Sequence, residues 1–123
     1  EEMKQSARIL YQMGPKYVLI KGGHLSGNEM VDILFDGTRD FIYPVRRVST
    51  KNTHGTGCTY SAALAALLAL GFELPKAVTE VRRYMDLVIL HSLSIGQGYG
   101  PTNHLAPIFL KCGLNPEYGG WNW

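Results

Sequence analysis

A chain of 123 residues, 46% hydrophobic and 18% charged, has the make-up of one modest folded domain rather than a disordered segment. Its net charge of +2 is too small, and its basic residues too scattered, for a nucleic-acid or anionic-membrane surface. The two cysteines, Cys58 and Cys112, stand far apart in unlike settings, with neither metal-ligand spacing nor a disulfide framework, which suits a reducing cytoplasm. The most apolar run, Ala62 to Leu70, is about half the length of a bilayer span. The acidic start Glu1-Glu2-Met3-Lys4 lacks the cationic-then-apolar order of an export signal. That start already lies inside a helical pattern and is not an initiator methionine, the expectation for a fragment or processed product.

Taken in order, Glu2 to Gln12 places Met3, Ala7, Leu10 and Met13 on one side of a predicted helix. Gly14-Pro15 stops it, since glycine suits the C′ position and proline cannot continue. Tyr17-Val18-Leu19-Ile20-Lys21 reads as a buried strand, parallel and covered on both faces. Helix, short loop and strand make half of an α/β unit. Lys21-Gly22-Gly23-His24 follows at the C-terminal end of the strand, where open α/β sheets bind ligands. Lys21 there is either a solvated strand-end lysine or a point charge for phosphate oxygens. Met30 to Phe35, Asp36-Gly37 and Asp40 to Tyr43 predict a β-hairpin, and Pro44 disfavours central pairing.

Thr50-Lys51-Asn52-Thr53-His54-Gly55-Thr56-Gly57-Cys58-Thr59 then runs straight into the apolar segment from Ala62 to Leu70. The pattern predicts a glycine-rich loop closing on a helix N-terminus. The first N–H groups of a helix lack internal partners, the dipole adds partial positive charge, and glycine lets a ligand approach the backbone. Together these features make an anion site suited to phosphate. Cys58 falls in the first turn, where thiols ionise more readily, and is either a base toward a substrate hydroxyl or a packing residue.

The alanine- and leucine-rich helix is apolar nearly all round, the pattern of a buried helix. Gly71 ends it, and Pro75 opens the next helix. That helix carries Ala77, Val78, Val81, Tyr84, Met85, Val88 and Ile89 on a core stripe to about Leu93. Arg82, Arg83 and Asp86 read as its solvated face. Gly98-Tyr99-Gly100-Pro101-Thr102-Asn103-His104 predicts tight turns, with His104 capping, packing or touching the site. Residues 108–123 read as a tail of unclear structure, with Cys112 a free thiol without a role.

Lys51-Asn52-Thr53-His54-Gly55-Thr56-Gly57-Cys58, with Lys21-Gly22-Gly23-His24 before it and Gly98 to His104 after it, resembles the hydroxymethylpyrimidine phosphate kinases of thiamin biosynthesis, in the ribokinase-like superfamily. The resemblance covers Met3 to His104 and corresponds to the C-terminal half of the usual enzyme. It implies an α/β fold: the C-terminal half of a three-layer αβα architecture with a β-hairpin at the sheet edge, occupying residues 1–107. It also implies transfer of the γ-phosphoryl of ATP to hydroxymethylpyrimidine and its phosphate, with Mg²⁺ bridging the phosphates. By the same resemblance Gly55, Thr56 and Gly57 form the anion hole. Cys58 is the catalytic base where sugar kinases of the superfamily have an aspartate. Lys21 holds ATP phosphates, with Thr53 near them, and His24 is left as a loop residue with a substrate-side contact.

Two departures stand out. Ser49 replaces the acidic residue the family has before its Thr-Lys-Asn-Thr run. The N-terminal half, with the pyrimidine pocket and an Asn-x-x-Glu motif, is not present, so the chain is expected to have reduced or no activity alone. The alternatives are a pyridoxal-type vitamin kinase and a non-catalytic nucleotide-binding module. An exposed sheet edge also predicts a homodimer, unless the missing half covers it.

Overall fold

In the computed structural model, which describes residues 1–23 and 30–116, the chain forms two units, Glu1–Arg47 and Val48–Trp123. The first holds helix α1 (Glu2–Tyr11) and strands β1 (Val18–Ile20), β2 (Met30–Phe35) and β3 (Asp40–Val45). The second holds helices α2 (Thr56–Ala69), α3 (Leu74–Leu90) and α4 (Ala106–Lys111).

Helix α1 stops at the expected signal. Gly14 adopts a φ of +106°, and its N–H reaches the Tyr11 carbonyl at 3.0 Å. The buried stripe is not the expected one. Ala7 is fully buried, whereas Leu10 and Met13 are 42% and 79% exposed. The packed face is instead Ala7 with Tyr11, one turn apart. The Tyr11 ring meets Phe35 edge-on, with centroids 5.2 Å apart, over a core of Ala7, Val18 and Phe35. Arg8 sets the helix rotation: its guanidinium lies 5.0 Å from the Phe35 ring centre and pairs with Asp40 at 3.0 Å.

The sheet order is β1-β2-β3. The expectation of a parallel β1 covered on both faces is corrected. It pairs antiparallel with β2, Val18 opposite Phe35 and Ile20 opposite Ile33, because the chain turns back to lie directly beside it. Leu19 and Ile20 are only half-buried. Central strand β2 carries the most buried residues, Leu34 among them at 0% exposure.

The hairpin forms where Asp-Gly predicted it. Asp36 Oδ1 accepts the N–H groups of Thr38 at 2.9 Å and Arg39 at 2.7 Å. Gly37 takes a φ of +94°, and a Cβ there would also collide with the Tyr11 phenol. Pro44 lies opposite Val31 in β3, an outer strand whose free side needs no N–H.

In the second unit, α2 ends in a Schellman motif. The Phe72 N–H reaches the Leu67 carbonyl at 3.1 Å and the Gly71 N–H reaches Leu68 at 3.0 Å, with Gly71 at a φ of +86°. Pro75 stands in the first turn of α3, which buries Ala77, Val78, Val81, Met85 and Val88. Two expectations are corrected here. Arg82 is buried rather than solvated, and its guanidinium pairs with Asp86 at 2.8 Å. Helix α2 packs one flank on α3, but its other faces are open: Thr59 and Tyr60 are its buried residues, and Leu68 is 43% exposed. A helix apolar all round therefore need not be enclosed by its own chain segment. Helix α4 opens the stretch read as a tail, and Asn103 Nδ2 ties it back by donating to the Pro116 carbonyl at 3.0 Å. His24 and both tryptophans lie outside the described residues. Among the described residues, no helix is long and apolar enough to cross a membrane.

Leu34→Ala should lower stability by about 2–5 kcal/mol in denaturant titration, since it empties the centre of β2. The Arg39 backbone N–H, and then that of Thr38, hold the Asp36 carboxyl below its ordinary value. A depressed folded-state value adds stability above the carboxylate range that is lost as pH falls through it. Melting temperatures of the parent and Asp36→Asn should therefore differ near neutral pH and converge on acidification.

Candidate phosphate site

Residues 48–55 form a loop whose shape is set by side chains and by the segment 98–104. Asn52 is buried, and its Oδ1 accepts the Gly100 N–H at 3.0 Å. Its own N–H donates to Thr50 Oγ1 at 3.1 Å, and Thr50 Oγ1 lies 3.1 Å from Ser92 Oγ. His54 pairs with Pro101 as a parallel bridge. Its N–H donates to the Gly100 carbonyl at 3.1 Å, and its carbonyl accepts the Thr102 N–H at 3.4 Å. A Cβ on Gly100 would strike the Leu93 carbonyl and come within 2.7 Å of Asn52 Oδ1. Only glycine fits there. The segment read from the sequence as tight turns is thus also the clamp on the loop.

The clamp decides which amides stay open. In a helix the Cys58 N–H would bond back to the His54 carbonyl, four residues earlier. That carbonyl is held by Thr102 instead. Gly55 is the N-cap of α2, in the left-handed conformation at φ 82°. Among the described residues the N–H groups of Gly55, Gly57 and Cys58 have no intramolecular acceptor. The Thr56 N–H donates to the Thr53 carbonyl at 3.3 Å, so the open donor set differs from the expected Gly55, Thr56 and Gly57. No heavy atom lies within 4 Å of where a Cβ would stand on Gly55 or Gly57. Three open amides, the N-terminus of a 14-residue helix and clear space beside both glycines are the features by which a helix start can receive an anion.

Cys58 follows in the first turn of α2 as an exposed free thiol. Thr53 lies exposed just before the open amides. Thr59, one residue beyond Cys58, turns inward: its N–H and Oγ1 both donate to the Gly55 carbonyl, at 2.9 and 2.8 Å.

Lys21 belongs to the first unit and is exposed beyond the end of β1. The peptide after it is held by Asp32, 1% exposed, whose Oδ1 accepts the Gly22 N–H at 3.0 Å. Sequence reasoning missed Asp32, Asn52, Thr59 and Gly100. The available signals were an acid inside an apolar strand run and the paired glycines at 98 and 100. Among the described residues no group of three or more His, Cys, Asp or Glu side chains could hold a metal ion.

The phosphomethylpyrimidine kinase family model matches residues 1–103. A hydroxymethylpyrimidine/phosphomethylpyrimidine kinase of Synechococcus elongatus is 42% identical over 109 residues, 88% of this chain and 41% of that protein. A thiamine biosynthesis bifunctional protein of Geobacter sulfurreducens is 44% identical over 85% of this chain and 21% of its own length. Among solved structures, the Bacillus subtilis pyridoxal kinase ADP complex aligns with a TM-score of 0.82 at 35% identity, over 87% of this chain and 40% of that one. The Staphylococcus aureus pyridoxal kinase with AMP-PCP and pyridoxal aligns with a TM-score of 0.82 at 30% identity. The chain thus spans about two fifths of the length of the single-function relatives. Its α/β fold is ribokinase-like, and the chain belongs to the phosphomethylpyrimidine kinase family.

Proposed function

We propose that this chain is the phosphate-holding portion of an ATP-dependent kinase that phosphorylates hydroxymethylpyrimidine and its phosphate, giving the diphosphate of thiamin biosynthesis in the cytoplasm. The observation that carries the reading is the cradle of three open N–H groups, Gly55, Gly57 and Cys58, at the start of α2. Phosphoryl transfer needs positioned donors more than covalent chemistry. Amides aimed where charge develops stabilise the transition state without reorganising.

In this reading the substrate hydroxyl oxygen attacks the γ-phosphorus of ATP. The new O–P bond forms as the bond to the β–γ bridging oxygen breaks, and ADP leaves with that electron pair. Cys58 Sγ is the acceptor for the hydroxyl proton. A phosphate acceptor is already ionised and needs no such base. Lys21 meets ATP phosphates, and Thr56 and Thr53 shape the cradle rather than lead it. Mg²⁺ would be held by the nucleotide phosphates, where it would neutralise their charge. The remainder of the kinase fold, present in the longer relatives, completes the substrate side; a second copy of the chain is the alternative partner for the exposed edges.

The likeness to pyridoxal kinases, one bound to pyridoxal itself, favours a second reading in which a pyridoxal-type vitamer replaces the pyrimidine. A nucleotide-binding module without catalysis is the third.

Calorimetric titration of the chain with Mg-ATP tests the cradle, and Gly57→Ala sharpens it. Gly57 is helical and its Cβ would meet open space, so alanine should raise stability by about 0.4–1 kcal/mol. The same methyl would fill the ligand's place and weaken nucleotide binding by at least about tenfold. Unchanged affinity in a more stable variant would remove the cradle. In the complete kinase, Cys58→Ala should slow phosphorylation of the alcohol by roughly 10²–10⁴-fold while largely sparing the phosphate acceptor. Equal rates on both acceptors would remove the base role, and comparison of pyrimidine with pyridoxal separates the first two readings.

A further inference from the structure

We infer that His104 is a positioning residue for the phosphate cradle, acting through the Thr59 hydroxyl on the carbonyl of Gly55. The inference rests on the reading of that loop as a phosphate site, and it assigns a role to the far end of the 98–104 segment.

The proton positions follow from the chemistry of the three groups. Thr59 Oγ1 lies 2.8 Å from the Gly55 carbonyl oxygen and 2.9 Å from His104 Nε2. A carbonyl has no proton to give, so the single hydroxyl proton of Thr59 points to Gly55. The hydroxyl is then an acceptor toward the ring, and His104 Nε2 carries the donated proton. The chain of donation runs from His104 to Thr59 to Gly55.

The end point of that chain is the cap of α2. Gly55 holds a left-handed φ of 82°, and its carbonyl takes two bonds from one residue, the Thr59 N–H at 2.9 Å and the Thr59 hydroxyl. The peptide plane that carries this carbonyl also carries the Thr56 N–H, and the open amides of Gly55 and Gly57 flank it. Rotation of that plane would re-aim the cradle. The hydroxyl bond resists rotation, and the histidine donor strengthens it by polarising the hydroxyl.

The histidine is itself held from behind. The N–H of Asn103 donates to the Val88 carbonyl at 2.9 Å. Asn103 Oδ1 accepts the Leu105 N–H at 3.2 Å, and Asn103 Nδ2 donates to Pro116. Asn103, just before His104, is therefore anchored to α3 and to Pro116, and Leu105, just after it, is anchored to Asn103. The ring is delivered to Thr59 by backbone already fixed.

The test uses four variants of the chain: His104→Leu, His104→Gln, Thr59→Val and Thr59→Ser. Glutamine can present an N–H near the position of Nε2, and serine keeps the hydroxyl, whereas leucine and the isosteric valine remove the link. Two readouts apply to each: the amide NMR signals of Gly55, Gly57 and Cys58 without nucleotide, and Mg-ATP affinity by calorimetry. His104→Leu and Thr59→Val should shift or broaden the three loop signals while those of mid-α3 stay in place, and should weaken binding by about tenfold. His104→Gln and Thr59→Ser should restore both. Unmoved loop signals in Thr59→Val and His104→Leu would overturn the inference, and so would loss of both readouts in the restoring variants. If His104→Leu unfolds, Thr59→Val decides, because it keeps the side-chain volume. If the parent chain binds no Mg-ATP, the phosphate reading fails for the chain alone, while the loop signals still decide the positioning role.

Discussion

Two strands of backbone meeting at His54 and Pro101 govern the second unit. The contact is short, but it occupies both polar groups of the His54 peptide. A helix propagates by bonding each N–H to the carbonyl four residues back. With the His54 carbonyl bonded to Thr102 and Gly55 in the left-handed conformation at the N-cap, α2 starts at Thr56 with its first donors open. Gly100 is the residue that lets this happen, because its missing side chain is where the Leu93 carbonyl and the Asn52 amide sit. The open amides at the start of α2 are therefore a property of two distant segments and not of the glycine loop alone.

The same device appears in the first unit. Asp32 is a carboxylate in the middle of a strand of Val, Ile, Leu and Phe, almost wholly buried. It accepts the Gly22 N–H and so holds the peptide after Lys21. Asn52 does the corresponding work for Gly100. Burying a polar side chain is costly unless its hydrogen bonds are made. Where the bond goes to the backbone of a glycine turn, the cost is offset and one loop geometry is selected. Asp32 lies ten residues from the turn it holds and carries no motif, whereas Asn52 stands inside the glycine-loop motif and shows its role only through its bond to Gly100.

Helix α2 shows the other side of a partial fold. Its leucines and alanines are spread around the whole circumference, and one flank alone meets α3. Exposed Leu68 and Leu70 fit a chain that spans about two fifths of its single-function relatives. Hydrophobic burial scales with the area removed from water, so these faces contribute little to the stability of the second unit.

The sequence by itself determined the types of every element but α4, which falls partly in the stretch read as a tail, together with the stops and the start of α2 after the glycine loop. Gly14-Pro15, Asp36-Gly37, Gly71 and Pro75 act through backbone geometry that neighbours cannot override. The motifs around Gly55-Thr56-Gly57-Cys58 were sufficient to indicate the family. The tertiary structure alone decided what depends on contacts between residues far apart in the chain. It chose Ala7 and Tyr11 as the packed face of α1, because a ring on Phe35 and an arginine on Asp40 set the rotation. It buried Arg82 beside Asp86, turned β1 antiparallel to β2, and exchanged Thr56 for Cys58 among the open donors. Local sequence encodes which φ and ψ a residue can adopt. Which carbonyl an amide finally meets is settled only when Thr102 arrives at His54 from the far side of α3.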